Sequence, residues 1–392
     1  MKQVKSSGYI PTLDGWRAIA VFAVIACHDR LHRIGPISDS ILRSYGYLGV
    51  DLFFAISGIL ICTRLLEEED AHGKISLRGF YIRRFFRIVP PAFAFLIVLG
   101  GLRYLHIIRL GVASWFCSLL FVNNYYMAAV RNTDLTLYTN HLWSLAVEEH
   151  FYLLLPAILY LFRRRRTEVL AVLTALSFIY SIGVFAHHAW WEAMGNGWSR
   201  FRTDMRIHAL LFPALVAILL RRPKFRRFCF LAISPLVVIV FQLILFEVFP
   251  AIGLPSLFLL IIPCGFPFLI VGTIVHPTSL FSRVLESAPM RYLGRLSYGI
   301  YLWQQIFLTD QHEDLRAKWP LGPLQSSSWS LVLILLAAMA SYYLLERPMI
   351  RIGHRLAPPA SPGRIDLGEE TPEGFGTESL ASAIGDSQPP EK

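Results

Sequence analysis

The sequence predicts an all-α polytopic membrane helical bundle, with about ten transmembrane helices and one re-entrant or interfacial segment. Three observations carry that prediction. The 392 residues are 55% hydrophobic and only 16% charged, against roughly 25% charged in a soluble domain, and the mean hydropathy is +0.50. Apolar stretches long enough to cross a bilayer recur between short arginine-rich breaks; a hydrocarbon core of ~30 Å takes ~20 apolar helical residues to span. The alternating segments of ~10 residues that mark a membrane β-barrel are not found.

In chain order the spans fall at 15–33, 46–66, 89–107, 141–162, 168–187, 207–220, 228–249, 252–275, 295–309 and 329–346. The stretch 111–127 is apolar but short, which makes it the re-entrant or interfacial segment. Orientation supports this drawing. Lys2 and Lys5 precede the first span, Arg78 to Arg87 separate the second and third, and Arg163 to Arg166 follow the fourth. Arg221 to Arg227 follow the sixth, Arg283, Arg291 and Arg295 precede or open the ninth, and Arg347, Arg351 and Arg355 follow the tenth. Ten crossings put every cluster on one side, the cytoplasmic side by the positive-inside rule, whereas an eleventh at 111–127 would put the four consecutive arginines outside. Met1 to Leu13 is polar, so the first helix is expected to be retained rather than cleaved as a signal peptide. Both termini are then cytoplasmic, in the cell (inner) membrane. Residues 1–356 form the membrane domain; from Ala357 the chain turns to Pro, Gly, Ser and acidic residues, a composition expected of a disordered cytoplasmic tail.

The same pattern excludes other classes. A net charge of +10 would suit nucleic acid, but the arginines sit at the ends of apolar segments, so the partner they fit is the lipid bilayer. The five cysteines lie far apart without ligand spacing, and no metal site is expected.

Ionisable residues inside spans are costly and each is a functional candidate. Arg17 and His28 are eleven residues apart, about 20° apart on one helical face and about 16 Å along the axis. Asp51 lies near the outer end of the second span, flanked by Gly49 and Gly58, which allow close helix approach. It could equally be an interfacial aspartate that caps its helix. In NHLWSLAVEEHFYLLLP, His141 and Glu148 share a face, with Glu149 beside them; a purely structural partner for Glu148 is the alternative. Arg84 and Arg87, three apart with Pro90-Pro91 expected to end their helix, suit phosphate groups, or lipid headgroups at the inner interface. The topology places His28, Asp51, His141 and Glu148 in the outer half of the membrane and the arginines at the inner face.

Taken in order, LDGWRAIAV…H, GVDLFFAISGILI, YIRRFFRIVPP, HLWSLAVEEHFYLLLP and LGRLSYGIYLWQ resemble the acyltransferase family 3 of membrane proteins, over residues 9–350. That family includes O-acetyltransferases of O-antigen and exopolysaccharide. The resemblance matches its first-motif residues to Asp14 and Arg17, its essential histidine to His28 and its GVDLFF aspartate to Asp51. Its arginine pair, linked to the acyl-CoA donor, matches Arg84 and Arg87. Its WSLxxE residues match Trp143, Ser144 and Glu148, and its SYxIYL tyrosine matches Tyr298. Gln304 stands where many members carry histidine. Larger members carry an extracellular hydrolase-like domain after the membrane part, so a second transfer step is expected to need a separate protein.

The resemblance implies transfer of an acyl, by default acetyl, group from cytoplasmic acyl-CoA (acetyl-CoA, with no metal) to a hydroxyl of a carbohydrate or glycoconjugate. His28 is the expected general base, with Glu148 or Asp51 orienting the imidazole, and Arg17, Arg84 and Arg87 holding the donor. A transporter or flippase of an acyl or glycan substrate is the other class; it would be expected to show repeated halves and interrupted helices.

Overall fold

A computed structural model of the chain describes residues 10–28, 46–130, 135–186, 201–232, 237–240, 244, 261–308 and 329–357. The regular structure among these residues is helical. The elements are α1 (Pro11–His28), α2 (Leu48–His72), α3 (Leu77–Tyr104), α4 (Val112–Leu119), α5 (Asn123–Ala129), α6 (Trp143–Leu161, entered through a 3-10 turn at Asn140–Leu142) and α7 (Arg166–Ala186). They continue with α8 (Thr203–Arg206), α9 (His208–Leu219), α10 (Pro223–Ala232), α11 (Phe266–Val275, after a 3-10 turn at Ile262–Gly265), α12 (Leu280–Leu285) and α13 (Ala288–Leu308). Last are α14 (Trp329–Ser341), a π turn (Tyr342–Glu346) and α15 (Arg347–Leu356).

Five helical stretches among the described residues are long and apolar enough to cross a membrane: 48–72, 77–104, 140–161, 166–184 and 329–356. The ten predicted spans are therefore matched only in part. Two more, 208–219 and 262–275, are apolar but shorter. The first and ninth predicted spans form α1 and α13, whose apolar runs are diluted by Asp14 and Arg17 and by Arg291 and Arg295. The seventh, 228–249, and the first half of the eighth fall largely outside the described residues, as do Lys2, Lys5 and the tail beyond Ala357. The segment 111–127 contains helices of 8 and 7 residues, α4 and α5, each too short to cross.

Two helices run further than the sequence suggests. Pro90 and Pro91, expected to stop a helix, lie inside the 28-residue α3. Prolines are tolerated in membrane helices, and the same stretch is tied to α13, where Tyr298 Oη donates to the Ile88 carbonyl at 2.9 Å. The last span, predicted to end at 346, continues through α15, which lies along α3 with Gly353 against Phe86; a Cβ there would come 2.7 Å from the Phe86 Cβ.

α1 and α2 form the centre. α13 packs along α1, and α9 along α2. Glycines set these approaches: a Cβ on Gly294 would stand 1.9 Å from the Asp14 carbonyl oxygen, and one on Gly49 2.4 Å from that of Ala20. The arginine clusters gather at one end of the bundle, and the acidic run that closes α2 holds three of them. Glu68 pairs with Arg83 at 3.3 Å, Glu69 with Arg163 at 2.6 Å and Arg166 at 2.7 Å, and Asp70 with Arg221. That run ends at Gly73, whose left-handed backbone (φ 72°) turns its N–H onto the Glu69 carbonyl.

Candidate active site

At the arginine end, α3 and α6 bring opposite charges together. Glu148 Oε1 accepts a 2.6 Å hydrogen bond from Ser57 Oγ, and Tyr152 Oη donates to Ser57 Oγ at 3.1 Å. The Arg84 guanidinium lies over the rings of Tyr152 (5.1 Å) and Phe80 (5.6 Å). It acts electrostatically on both Glu148 and Glu149, and Arg17 also acts on Glu148. Arg17 itself donates to Asp14 at 2.9 Å, one turn earlier on α1. Arg83 is taken by Glu68, whereas among the described residues neither Arg84 nor Arg87 has an ion-pair partner within 4.0 Å. Arg87 is exposed, and His354 of α15 sits in the electrostatic field of Arg83, Arg84 and Arg87. Three guanidinium groups lie on one approach, two of them without an acidic partner among the described residues, an arrangement that could hold an anion beside the Glu148 network.

A second group lies further along the bundle. His28 closes α1, with Nδ1 at 2.8 Å from the Val24 carbonyl. A carbonyl only accepts, so Nδ1 carries the proton and the neutral ring keeps its lone pair on Nε2, the atom that can act as a base. His141, at the start of α6, acts electrostatically on this histidine. Its ring packs edge-on against Phe95 (5.6 Å) and Tyr301 (5.4 Å). Tyr301 Oη in turn meets Ser144 Oγ (2.6 Å) and donates to the His141 carbonyl. Seven residues separate His141 from Glu148, about 10 Å along the helix.

Thus the predicted residues divide between two levels. Arg17, Arg84 and Glu148 come together, and Arg87 borders them. His28 is beside His141, while the contacts of Glu148 run toward the arginines. Asp51 is bound elsewhere: it forms a buried ion pair with Arg206, which also covers the Trp143 ring at 5.7 Å. Orientation of His28 by Glu148 or Asp51 is therefore not what these contacts describe; the Val24 carbonyl holds the ring.

Sequence reasoning misses Ser57, Tyr152, Tyr301 and Arg206. Tyr152 has a signal, one turn after Glu148 on the same face. Ser57 and Arg206 have none, because their partners are 91 and 155 residues away. Of the loops that ten crossings put outside, 34–45 and the part of 188–206 that holds Trp190, Trp191 and Trp198 lie outside the described residues. The parts that are described meet on α6: Thr203 Oγ1 contacts His150 Nδ1 (2.6 Å) and Asn124 Nδ2 (2.9 Å).

Comparison with known proteins gives this arrangement a family. The family described as "Acyltransferase domain" matches residues 10–347. A peptidoglycan O-acetyltransferase, OatA, of Listeria monocytogenes is 30% identical over 330 residues, covering 78% of this chain and 50% of that protein. The O-acetyltransferase OatA of Staphylococcus aureus is 28% identical over 389 residues, covering 91% of this chain and 59% of that one. The chain thus spans between half and three-fifths of the length of these relatives. No solved structure matches. With five apolar helices of membrane-crossing length and a match that runs from α1 to the start of α15, the chain belongs to the acyltransferase domain family of integral membrane proteins.

Proposed function

We propose that the chain is an O-acyltransferase that moves an acyl group, by default acetyl, from cytoplasmic acyl-CoA to a hydroxyl of a cell-surface or exported glycan or a glycosylated metabolite. The donor enters at the arginine end, where Arg84, Arg87 and Arg17 bind its phosphates. The acceptor is met at the level of His28. The protein lies in the cell (inner) membrane, crosses it about ten times and keeps both termini in the cytoplasm. The observation that supports this reading is that the Arg84, Arg87 and Arg17 guanidinium groups and the His28 ring lie at different levels of one set of packed helices. The match to a relative that acetylates peptidoglycan supports a glycan as acceptor.

In the reaction, His28 Nε2 takes the proton of the acceptor hydroxyl as its oxygen attacks the thioester carbonyl. The C–S bond breaks, and the CoA thiolate leaves and recovers a proton from the imidazolium. We take direct attack by the acceptor hydroxyl as the reaction rather than a transient acyl-histidine; the Nδ1 contact with Val24 leaves Nε2 as the reacting atom in both.

Transfer of label from radiolabelled acetyl-CoA in membrane vesicles tests this, with sugar and lipid fractions counted separately. Label in a glycan fraction that disappears with His28→Ala and with Arg84→Ala/Arg87→Ala is the expected result. Normal transfer by His28→Ala would contradict the base assignment.

A further inference from the structure

Buried polar groups are almost always hydrogen-bonded, and each exception asks for an explanation. Two exceptions here lie on packed neighbouring elements, and one of them, His141, interacts electrostatically with His28. Gln304 is 0% exposed, and both its amide oxygen and its amide nitrogen lack a partner among the described residues. His141 is 2% exposed, and neither ring nitrogen makes a hydrogen bond within normal geometry, although the Leu302 backbone approaches the ring closely enough to act on it.

Their placement follows from the packing. His141 rests on Tyr301, and Gln304 lies one turn further along α13 on the same face, about 4.5 Å outward. Phe95 touches both His141 and the neighbouring Trp303 (5.5 Å), whose indole N–H is likewise unmatched. α1 runs beside α13 with Gly294 against Asp14. Ten residues further along each helix stand Gln304 and Val24, and Val24 is the residue whose carbonyl holds the His28 ring.

The chemistry of the unmatched atoms narrows what they can bind. A primary amide offers a donor and an acceptor, and a neutral imidazole offers one of each. An anion would be served by guanidinium groups, which lie at the other end of the site. A hydroxyl satisfies donor and acceptor together without charge, and a sugar presents several on neighbouring carbons. We infer that Gln304 and His141 form a subsite for the hydroxyl groups of a neutral polyol or sugar acceptor, next to the base that activates one of them. This rests on the acyltransferase reading above and deepens it.

The rival is a core amide that simply lacks partners, and melting of the purified full-length protein separates the two. The probes are N-acetylglucosamine oligomers for the subsite and acetyl-CoA for the arginine end. Wild type is expected to melt several degrees higher with either probe. Gln304→Met removes the unmatched atoms at similar length. It is expected to melt above wild type without ligand, to bind the oligomers at least ~10-fold more weakly, and to keep the acetyl-CoA shift. Gln304→His, which retains a donor and an acceptor, is expected to keep both shifts, and remains informative should the Met variant not fold. An oligomer shift undiminished in Gln304→Met, a Gln304→Met that melts below wild type without ligand, or no oligomer shift in wild type would each overturn the inference. Loss of the acetyl-CoA shift in wild type would instead count against the acyltransferase reading.

Discussion

Asp51 shows how far a motif residue's surroundings determine what can be asked of it. Its carboxylate is buried against Arg206, and the guanidinium closes over Trp143. Removing one partner of a buried ion pair strands the other charge, at a cost of about 3–5 kcal/mol, whereas removing both can be close to neutral. Arg206→Leu is accordingly expected to lower the melting temperature strongly, and Asp51→Asn/Arg206→Leu to recover most of the loss. Thermal unfolding in detergent checks this; a double variant no better than the single would show that Asp51 needs its charge for something other than Arg206. For Glu148 the network predicts a graded result in the vesicle transfer assay. Ser57→Ala removes one of its hydrogen bonds and leaves Arg84 in place, so it is expected to reduce transfer by about tenfold, on the order of 1 kcal/mol. Glu148→Gln, which deletes the charge facing Arg84 and Arg17, is expected to reduce it by at least a hundredfold. The chemical types of these residues are legible in the sequence, since ionisable groups within apolar runs stand out. Their partners are not. Ser57 looks like an ordinary small residue of an apolar helix, and Arg206 like the charged flank of the next one.

Among the elements, the pairing of α1 with α13 positions His28. The closeness at Gly294 leaves no room for a side chain, because a Cβ would meet the Asp14 backbone at 1.9 Å. Gly294→Ala is therefore expected to force the two helices apart, costing more than about 2 kcal/mol and abolishing transfer. Gly101 in α3 is the control: among the described residues, no atom lies within 4 Å of where a Cβ would stand, so Gly101→Ala is expected to be neutral or to stabilise by about 0.5–1 kcal/mol through helix propensity. Melting curves of the two variants in the same detergent decide it. Apolar periodicity locates these helices, but not their ends. α3 continues through Pro90 and Pro91 where Tyr298 of α13 bonds its backbone at Ile88, and α15 extends the last helix because Gly353 lets it lie on Phe86. Both reasons are tertiary and invisible in the local sequence.

Over the whole molecule, charge organises the bundle by its ends. The positive clusters are legible as a one-sided pattern. The acidic run that gathers them is not, although Glu67 to Asp70 are adjacent in the chain, because nothing local says which arginines will reach it. Glu69 alone holds Arg163 and Arg166 and so ties the loop between α6 and α7 to the end of α2. Glu69→Gln is expected to lower the melting temperature while leaving the acceptor end intact, which would register as lower stability with an unchanged preference among acceptors. The number of crossings is the part of the architecture least legible in hydropathy, since Asp14 and Arg17 in α1 and Arg291 and Arg295 in α13 dilute apolar runs that simpler spans keep unbroken.

In the proposed reaction, donor and acceptor approach from opposite ends of the bundle. Sealed membrane vesicles of the two orientations, each supplied externally with membrane-impermeant radiolabelled acetyl-CoA, test it most directly. Transfer is expected only when the donor bathes the face bearing Arg84 and Arg87, with the labelled acceptor enclosed on the opposite side. Equal transfer from either face, or label confined to acceptors on the donor's own side, would contradict it.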